Sequence, residues 1–265
     1  MAEKRYVGPG KFVWHELLTG DVDKAAEYYS RLFNWTFKDI ERGGPQPYRC
    51  FGKDGVDFGG IVPLDPSRGE EPHWIPYVTV EDVDGLLEHM GKLGGTVMAG
   101  PAELPDFGRC LMVKDPTGAP VVLHSGGDPD EELGDDPPAP GKIIWNDLLS
   151  RDPLAAGRFY CGVFGWELFT MDMEAQGTYY LLRRGEINEA GILLKPESAE
   201  GSSSWLPYVA VADLNLACVE AAHHGGAIHL PPTDLHGAGT FAVISDPTGG
   251  VLALFQPGPA QQGEP

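Results

Sequence analysis

An α+β fold of four βαβββ units in tandem is predicted by three observations: a repeat of constant register, a strand–helix–strand order within each half, and a turn that closes each half. A shift of 131 residues carries Trp14 to Trp145, Asp21 to Asp152, Tyr29 to Tyr160, Phe33 to Phe164, Trp35 to Trp166 and Tyr48 to Tyr179. It also carries Gly60 to Gly191, Trp74 to Trp205, Pro76-Tyr77-Val78 to Pro207-Tyr208-Val209, Asp82 to Asp213 and Gly94-Gly95 to Gly225-Gly226. The closing turn Asp115-Pro116-Thr117-Gly118 returns as Asp246-Pro247-Thr248-Gly249. A register kept without net insertion means that loops match as well as cores, so the halves are expected to superpose.

Each half reads as two similar blocks. In the first, Phe12 to Thr19 is a strand, and Asp21 is placed to cap a helix whose Val22, Ala25, Ala26, Tyr29, Leu32 and Phe33 fall at helical spacing. Asn34 ends that helix and Trp35 opens the next strand. In the second block Trp74 to Val80 is a strand, and Asp82 caps a helix bearing Val83, Leu86, Leu87 and Met90, which Gly94-Gly95 terminates. Two strands close the block around the Asp-Pro-Thr-Gly turn, where Pro116 suits the second turn position and Gly118 the fourth. The expected organisation is a first domain over 8–124, an acidic Gly/Pro linker over 125–141, a second domain over 142–256 and a loose tail over 257–265.

With 42% hydrophobic residues the chain can bury a proper core. Its 39 acidic and 19 basic side chains give a formal charge of −20, which repels phosphate backbones and anionic headgroups, so neither nucleic acid nor membrane is an expected partner. No apolar run is long enough for a transmembrane helix, and the opening MAEKRYVGPGKF lacks the apolar stretch of a secretory signal, so a cytoplasmic location is expected. Cys50, Cys110, Cys161 and Cys218 form no Cys-x-x-Cys pair, and each lacks a cysteine at its repeat counterpart, as isolated reduced thiols would. No phosphate-binding Gly-rich loop and no Gly-x-Ser-x-Gly elbow is present.

The block order, the segments Ala-Ala-Glu-Tyr-Tyr-Ser-Arg-Leu-Phe-Asn-Trp (25–35) and Ala-Ala-Gly-Arg-Phe-Tyr-Cys-Gly-Val-Phe-Gly-Trp (155–166), and the closing Asp-Pro-Thr-Gly turns resemble the glyoxalase, bleomycin-resistance and extradiol-dioxygenase (vicinal oxygen chelate) superfamily. The resemblance covers both repeats. It implies that paired βαβββ units curl into two half-open barrels around small-molecule sites. A chain with four units can complete its barrels alone, so a monomer suffices, and a homodimer stays open.

Metalloenzymes of that superfamily hold a divalent ion with His, Gln or Glu on the first strand of one unit, His or Gln on the first strand of the next, and Glu on the last strand. Counted from the capping aspartates, those positions here are Trp14, Ile75 and Val122, and Trp145, Leu206 and Ala253, none of which can ligate a metal. A register slipped by one residue would substitute His15, Trp74 and Leu123, or Asn146, Trp205 and Leu254, with only His15 a good ligand, and would turn each apolar strand face outward. Neither a metal nor another cofactor is therefore expected.

Side chains two apart on a strand share a face, so Glu16 accompanies Trp14, Tyr77 accompanies Ile75 and His124 accompanies Val122. In the second half Asp147 accompanies Trp145, Tyr208 accompanies Leu206 and Phe255 accompanies Ala253. Each set joins aromatic and apolar walls to a carboxylate and a phenol, which suits a planar or aromatic ligand. Glu16, Tyr77 and His124, with Asp147 and Tyr208, are the candidate catalytic groups; Trp14, Ile75, Val122, Trp145, Leu206 and Phe255 are the candidate ligand contacts. The bland alternative is a packed core in which the two tryptophans fill the space of a metal, the carboxylates form structural pairs, and His124 is solvated beside the linker. His223-His224 sits near a helix end, where a cation opposes the dipole, and His229 and His236 flank Pro231-Pro232 without matching a metal motif. Three functions stay open: a protein that binds a small apolar or aromatic compound without metal, a metal-independent lyase, isomerase or cyclase working by acid–base chemistry, and a metal-dependent glyoxalase-type lyase or dioxygenase.

Overall fold

The computed structural model describes residues 9–41, 47–65, 67, 69–104, 107–126, 139–173, 177–197, 199, 201–235 and 238–258. Most of the expected linker and tail, and His236, lie outside them. Four βαβββ blocks follow one another. The first is β1 (Phe12–Thr19), α1 (Val22–Phe33), β2 (Thr36–Ile40), β3 (Tyr48–Lys53) and β4 (Val56–Pro63). The second is β5 (His73–Thr79), α2 (Val83–Leu87), α3 (Met90–Leu93), β6 (Thr96–Leu104), β7 (Gly108–Lys114) and β8 (Pro120–Ser125). The third is β9 (Ile143–Ser150), α4 (Pro153–Phe164), β10 (Glu167–Asp172), β11 (Thr178–Arg184) and β12 (Ile187–Leu194). The fourth is β13 (Ser204–Ala210), α5 (Leu214–His223), β14 (Ala227–Leu235), β15 (Gly239–Ser245) and β16 (Val251–Pro257).

The capping aspartates act as the sequence requires: Asp21, Asp152 and Asp213 each accept a backbone N–H from the first helical turn at 3.0 Å. Asn34 ends α1 in the left-handed conformation at φ 55°. The single helix expected over 83–93 is instead two pieces, α2 and α3. Gly85 and Gly91 stand where the unbroken α5 has Leu216 and Ala222, and two glycines cost a helix interior about 1 kcal/mol each.

In the second, third and fourth blocks the first strand runs parallel to the last, with Tyr77 opposite Val122, Asp147 opposite Gly191 and Tyr208 opposite Ala253. The other strands add antiparallel. In the first block β1 adjoins β4, and the Leu64 N–H donates to the Thr19 carbonyl at 2.8 Å.

Two compact units result, and they do not follow the two sequence repeats. One comprises Met1–Glu16, Ile75–Asp135 and Asn146–Trp205, which is essentially the second and third blocks. The other comprises Leu17–Trp74, Asp136–Trp145 and Leu206–Pro265, essentially the first and fourth. In the first unit Val78, Leu111, Val121 and Leu123 pack with Phe159, Tyr160, Val163 and Trp166. In the second, Leu17, Tyr29, Phe33, Trp35 and Phe51 pack with Val209, Ile244, Leu252 and Leu254. Each core thus joins one block of each repeat.

The repeated motifs make these cross-repeat contacts. Asp115 is buried, and its Oδ1 accepts from the Thr117 N–H at 2.7 Å, the Thr117 hydroxyl at 2.8 Å and the Ala119 N–H at 3.0 Å. Its Oδ2 accepts from the Tyr160 hydroxyl of α4 at 3.0 Å. The other unit repeats the arrangement, with Asp246 accepting from Thr248, Gly250 and, at 2.7 Å, the Tyr29 hydroxyl of α1. Burial, with the facing carboxylate second, holds both tyrosine hydroxyls well above their ordinary pKa. The glycine pair has two separate uses. Gly94 and Gly225 take φ of 83° and 93°, whereas a Cβ on Gly95 would lie 2.7 Å from the Phe159 ring and one on Gly226 2.4 Å from the Tyr28 hydroxyl.

His15 and Asn146 occupy one repeat position and meet each other, the His15 Nε2–H donating to Asn146 Oδ1 at 2.9 Å. Burial lowers the imidazole from its ordinary 6.5 to about 4, the Asn146 bond opposing the shift.

Two outcomes are expected. Tyr29→Phe and Tyr160→Phe each lower the urea-unfolding free energy by about 2 kcal/mol, the worth of a hydrogen bond to a charged group, and the double variant loses the sum because the sites share no partner. Loss of less than about 0.5 kcal/mol in either would show that the hydroxyls contribute little. Since neutral His15 is favoured only in the folded chain, its contribution is whole above pH 6.5 and is lost as pH falls toward 4. Urea titrations at pH 7 and 4.5 should therefore differ by about 2–3 kcal/mol less in His15→Asn than in the parent, and an unchanged difference would refute the assignment.

Candidate functional site

Strand alternation separates the candidate residues from the helix-packed cores. Leu17, Trp74, Val78, Val121, Leu123 and Val209 belong to the cores, whereas Trp14, Glu16, Ile75, Tyr77, Val122 and His124, interleaved with them, are buried without entering either core. Leu206, Tyr208 and Ala253 behave likewise, and Trp145 and Phe255 are half-buried.

All the first-repeat candidates lie in the unit that contains β8, and the structure brings four of them together. The Tyr77 hydroxyl donates to Glu16 Oε1 at 3.2 Å. Phe107, at the turn entering β7, stands between the others. Its ring is 5.4 Å edge-on from Trp14, 5.7 Å edge-on from Tyr77 and 4.6 Å from the His124 ring. Its carbonyl accepts from His124 Nε2–H at 2.6 Å.

The expected solvation of His124 beside the linker is corrected here, for the side chain is 5% exposed. It lies opposite Cys110 in the β7–β8 ladder and beneath Phe107, on a strand that continues to Ser125 before the chain leaves the sheet. Because a carbonyl can only accept, Nε2 carries the ring proton, which leaves Nδ1 as a bare acceptor, buried and with no hydrogen-bond partner. Burial lowers the His124 pKa, so the ring is neutral at pH 7.

In the second repeat Asp147 is 3% exposed, and the phenol bonded to it is that of Tyr179, at 2.7 Å from Oδ1. Gly191 makes the approach possible, since a Cβ there would lie 1.9 Å from the Tyr179 hydroxyl and 2.2 Å from Asp147 Oδ1. Gly60 admits the Tyr48 hydroxyl in the same way, a Cβ lying 2.0 Å from it. Trp145, Leu206, Tyr208 and Phe255 belong to the other unit, where Tyr208 lies 6.0 Å from Phe241 and Phe241 pairs with Phe255.

Sequence reasoning missed Phe107 and Tyr179. Phe107 had no signal in the repeat, because Ala238 stands at its counterpart. Tyr179 did have one: Tyr48 and Gly60 recur together as Tyr179 and Gly191.

The donor set does not fit a metal of the superfamily's type. Its ligand positions carry Trp14, Ile75 and Val122 or Trp145, Leu206 and Ala253, and nearby Glu16, bonded to Tyr77, and the bare His124 Nδ1 fall short of three convergent ligands. Among the described residues the one group of three convergent His, Cys or carboxylate ligands is Glu220, His223 and His224 at the end of α5, where His224 Nε2 lies 3.4 Å from Glu220. Also among the described residues, no helix is long and apolar enough to cross a membrane.

Four βαβββ blocks with candidate sites on their helix-free faces define the class, and sequence comparison agrees: the chain belongs to the glyoxalase/bleomycin resistance protein/dioxygenase superfamily, whose family model matches residues 11–123. It is 33% identical over 256 residues to the putative glyoxylase CFP32 of Mycobacterium tuberculosis, covering 94% of this chain and 95% of that one. The anthracycline biosynthesis protein DnrV of Streptomyces peucetius is 26% identical over 264 residues, with 94% of each chain covered. Among solved structures, the Mn(II)-bound glyoxalase of Novosphingobium aromaticivorans has a TM-score of 0.65 at 16% identity, covering 94% of this chain and 82% of that chain. The 2,3-dioxygenase LapB of Pseudomonas sp. KL28 has a TM-score of 0.64 at 14% identity, covering 100% and 97%.

Gly191→Ala should break the Asp147–Tyr179 bond and lower stability by about 1–3 kcal/mol, as overpacking does, whereas Gly20→Ala, with open space around its Cβ, should stay within about 0.5 kcal/mol of the parent. Thermal unfolding of the two variants checks this, and equal melting temperatures would show that the close approach is not needed.

Proposed function

We propose that the group formed by Trp14, Glu16, Tyr77 and His124 binds a small planar aromatic molecule without a metal, with His124 placed to accept a proton from it. The observation that carries this reading is the bare, buried Nδ1 of His124, an acceptor without a donor among aromatic rings. An unsatisfied buried acceptor costs about 1–3 kcal/mol, which a ligand O–H or N–H would recover. Neutral His124 is in the form to take that proton, and the Glu16–Tyr77 pair supplies a second hydrogen-bonding end. The ring faces favour a flat ligand. A relative named an anthracycline biosynthesis protein supports that ligand class, anthracyclines being fused-ring aromatic compounds.

This makes the chain a binding protein or an acid–base lyase, isomerase or cyclase. The metal-dependent lyase or dioxygenase reading draws support from the Mn(II)-bound glyoxalase and the dioxygenases among its structural neighbours, against which stand the donorless ligand positions. Titration with 2-hydroxyanthraquinone, whose hydroxyl is free to donate, followed by quenching of tryptophan fluorescence, separates the two. Saturable binding without added metal is expected, weakened about tenfold in His124→Phe by loss of one hydrogen bond. Binding that appears only after loading with manganese(II) or iron(II), or that is indifferent to His124→Phe, would overturn the proposal.

A further inference from the structure

We infer that Phe107 is a resident stand-in for the ligand, and that the ligand is an aryl carbonyl compound that binds by displacing it. This rests on the reading above and adds the ligand's second functional group. Two parts of Phe107 engage the site together. The ring meets Trp14, Tyr77 and His124 at 5.4, 5.7 and 4.6 Å, and the carbonyl oxygen takes the His124 Nε2–H at 2.6 Å. An aromatic ring with an acceptor oxygen a few bonds away is thus what the site already holds. A ligand that removes Phe107 must replace both, or His124 is left with a second unpaired nitrogen.

The place of Phe107 in the chain suits this use. It belongs to neither hydrophobic core, and lies on the turn between β6 and β7 with its N–H on the Leu104 carbonyl at 3.1 Å. The next residue, Gly108, has φ 116°, a conformation that favours glycine, and lies opposite Leu104 in the β6–β7 ladder. The second repeat has solved the same packing otherwise. There Ala238 stands at the turn, and the aromatic neighbour of Tyr208 is Phe241, the counterpart of Cys110, fixed in the β15 ladder opposite Phe255. One repeat carries its ring just before a strand, the other within one.

The test uses the full chain, its Phe107→Ala and Phe107→Leu variants, and two probes of nearly equal shape, 2-acetylnaphthalene and 2-isopropenylnaphthalene. Removing the ring leaves only the residue 107 carbonyl to be displaced, which raises the fraction of chains ready to bind, so Phe107→Ala should bind 2-acetylnaphthalene about tenfold tighter than the parent. Phe107→Leu, which keeps apolar bulk without the flat ring, should fall between and carries the test if the alanine variant does not fold. Each protein should prefer the ketone to the hydrocarbon by about fivefold, through the His124 Nε2–H. Equal or weaker binding by the variants would make Phe107 a wall of the site and overturn the inference. Equal affinity for the two probes would overturn the assignment of the carbonyl. Binding of neither probe by any of the proteins would overturn the inference, and failure of 2-hydroxyanthraquinone to bind as well would overturn the underlying reading.

Discussion

A buried carboxylate with its hydrogen bonds filled is the constraint on which the rest of this molecule depends. Asp115 and Asp246 fold their own turns with one oxygen and use the other to hold a tyrosine hydroxyl from the opposite repeat. A buried carboxylate is tolerable only when its lone pairs are occupied, so the turn and the helix each require the other. The same economy places the strand ends. Thr19 and Ser150 set their hydroxyls on Thr248 and Thr117, at 2.7 and 3.2 Å. Helix, strand end and turn are fixed by hydroxyl groups reaching across, while apolar side chains fill the volume behind them.

Once the helices are held on one side of each sheet, the opposite face is free to diverge. The two repeats differ most there. Glu16 reaches Tyr77, while Asp147, one methylene shorter, takes Tyr179 over Gly191. An imidazole stands at 124 where Phe255 occupies the corresponding strand position. The repeats keep one scaffold and carry unlike chemistry.

What was legible in the sequence was what local rules determine. Capping aspartates, the left-handed Asn34, the glycine pairs and the Asp-Pro-Thr-Gly turns each act within a few residues, and strand alternation correctly divided core positions from the rest. The break between α2 and α3 was also local, since Gly85 and Gly91 weaken a helix that the apolar spacing alone made continuous. The burial of His124 could not be read locally, because it depends on a phenylalanine seventeen residues away folding over it. Nor could the composition of the two units. Apolar periodicity states that a face must be covered and leaves open which block covers it.

That each core draws one block from each repeat has a consequence for how the chain can change. The halves look like duplicates that could drift apart, yet a substitution in the first helix is answered by the fourth block's turn, and one in the third block's helix by the second block's turn. Duplication normally frees one copy to vary. Here it bound the copies to a shared history in their cores and left independence only to the faces the helices do not touch.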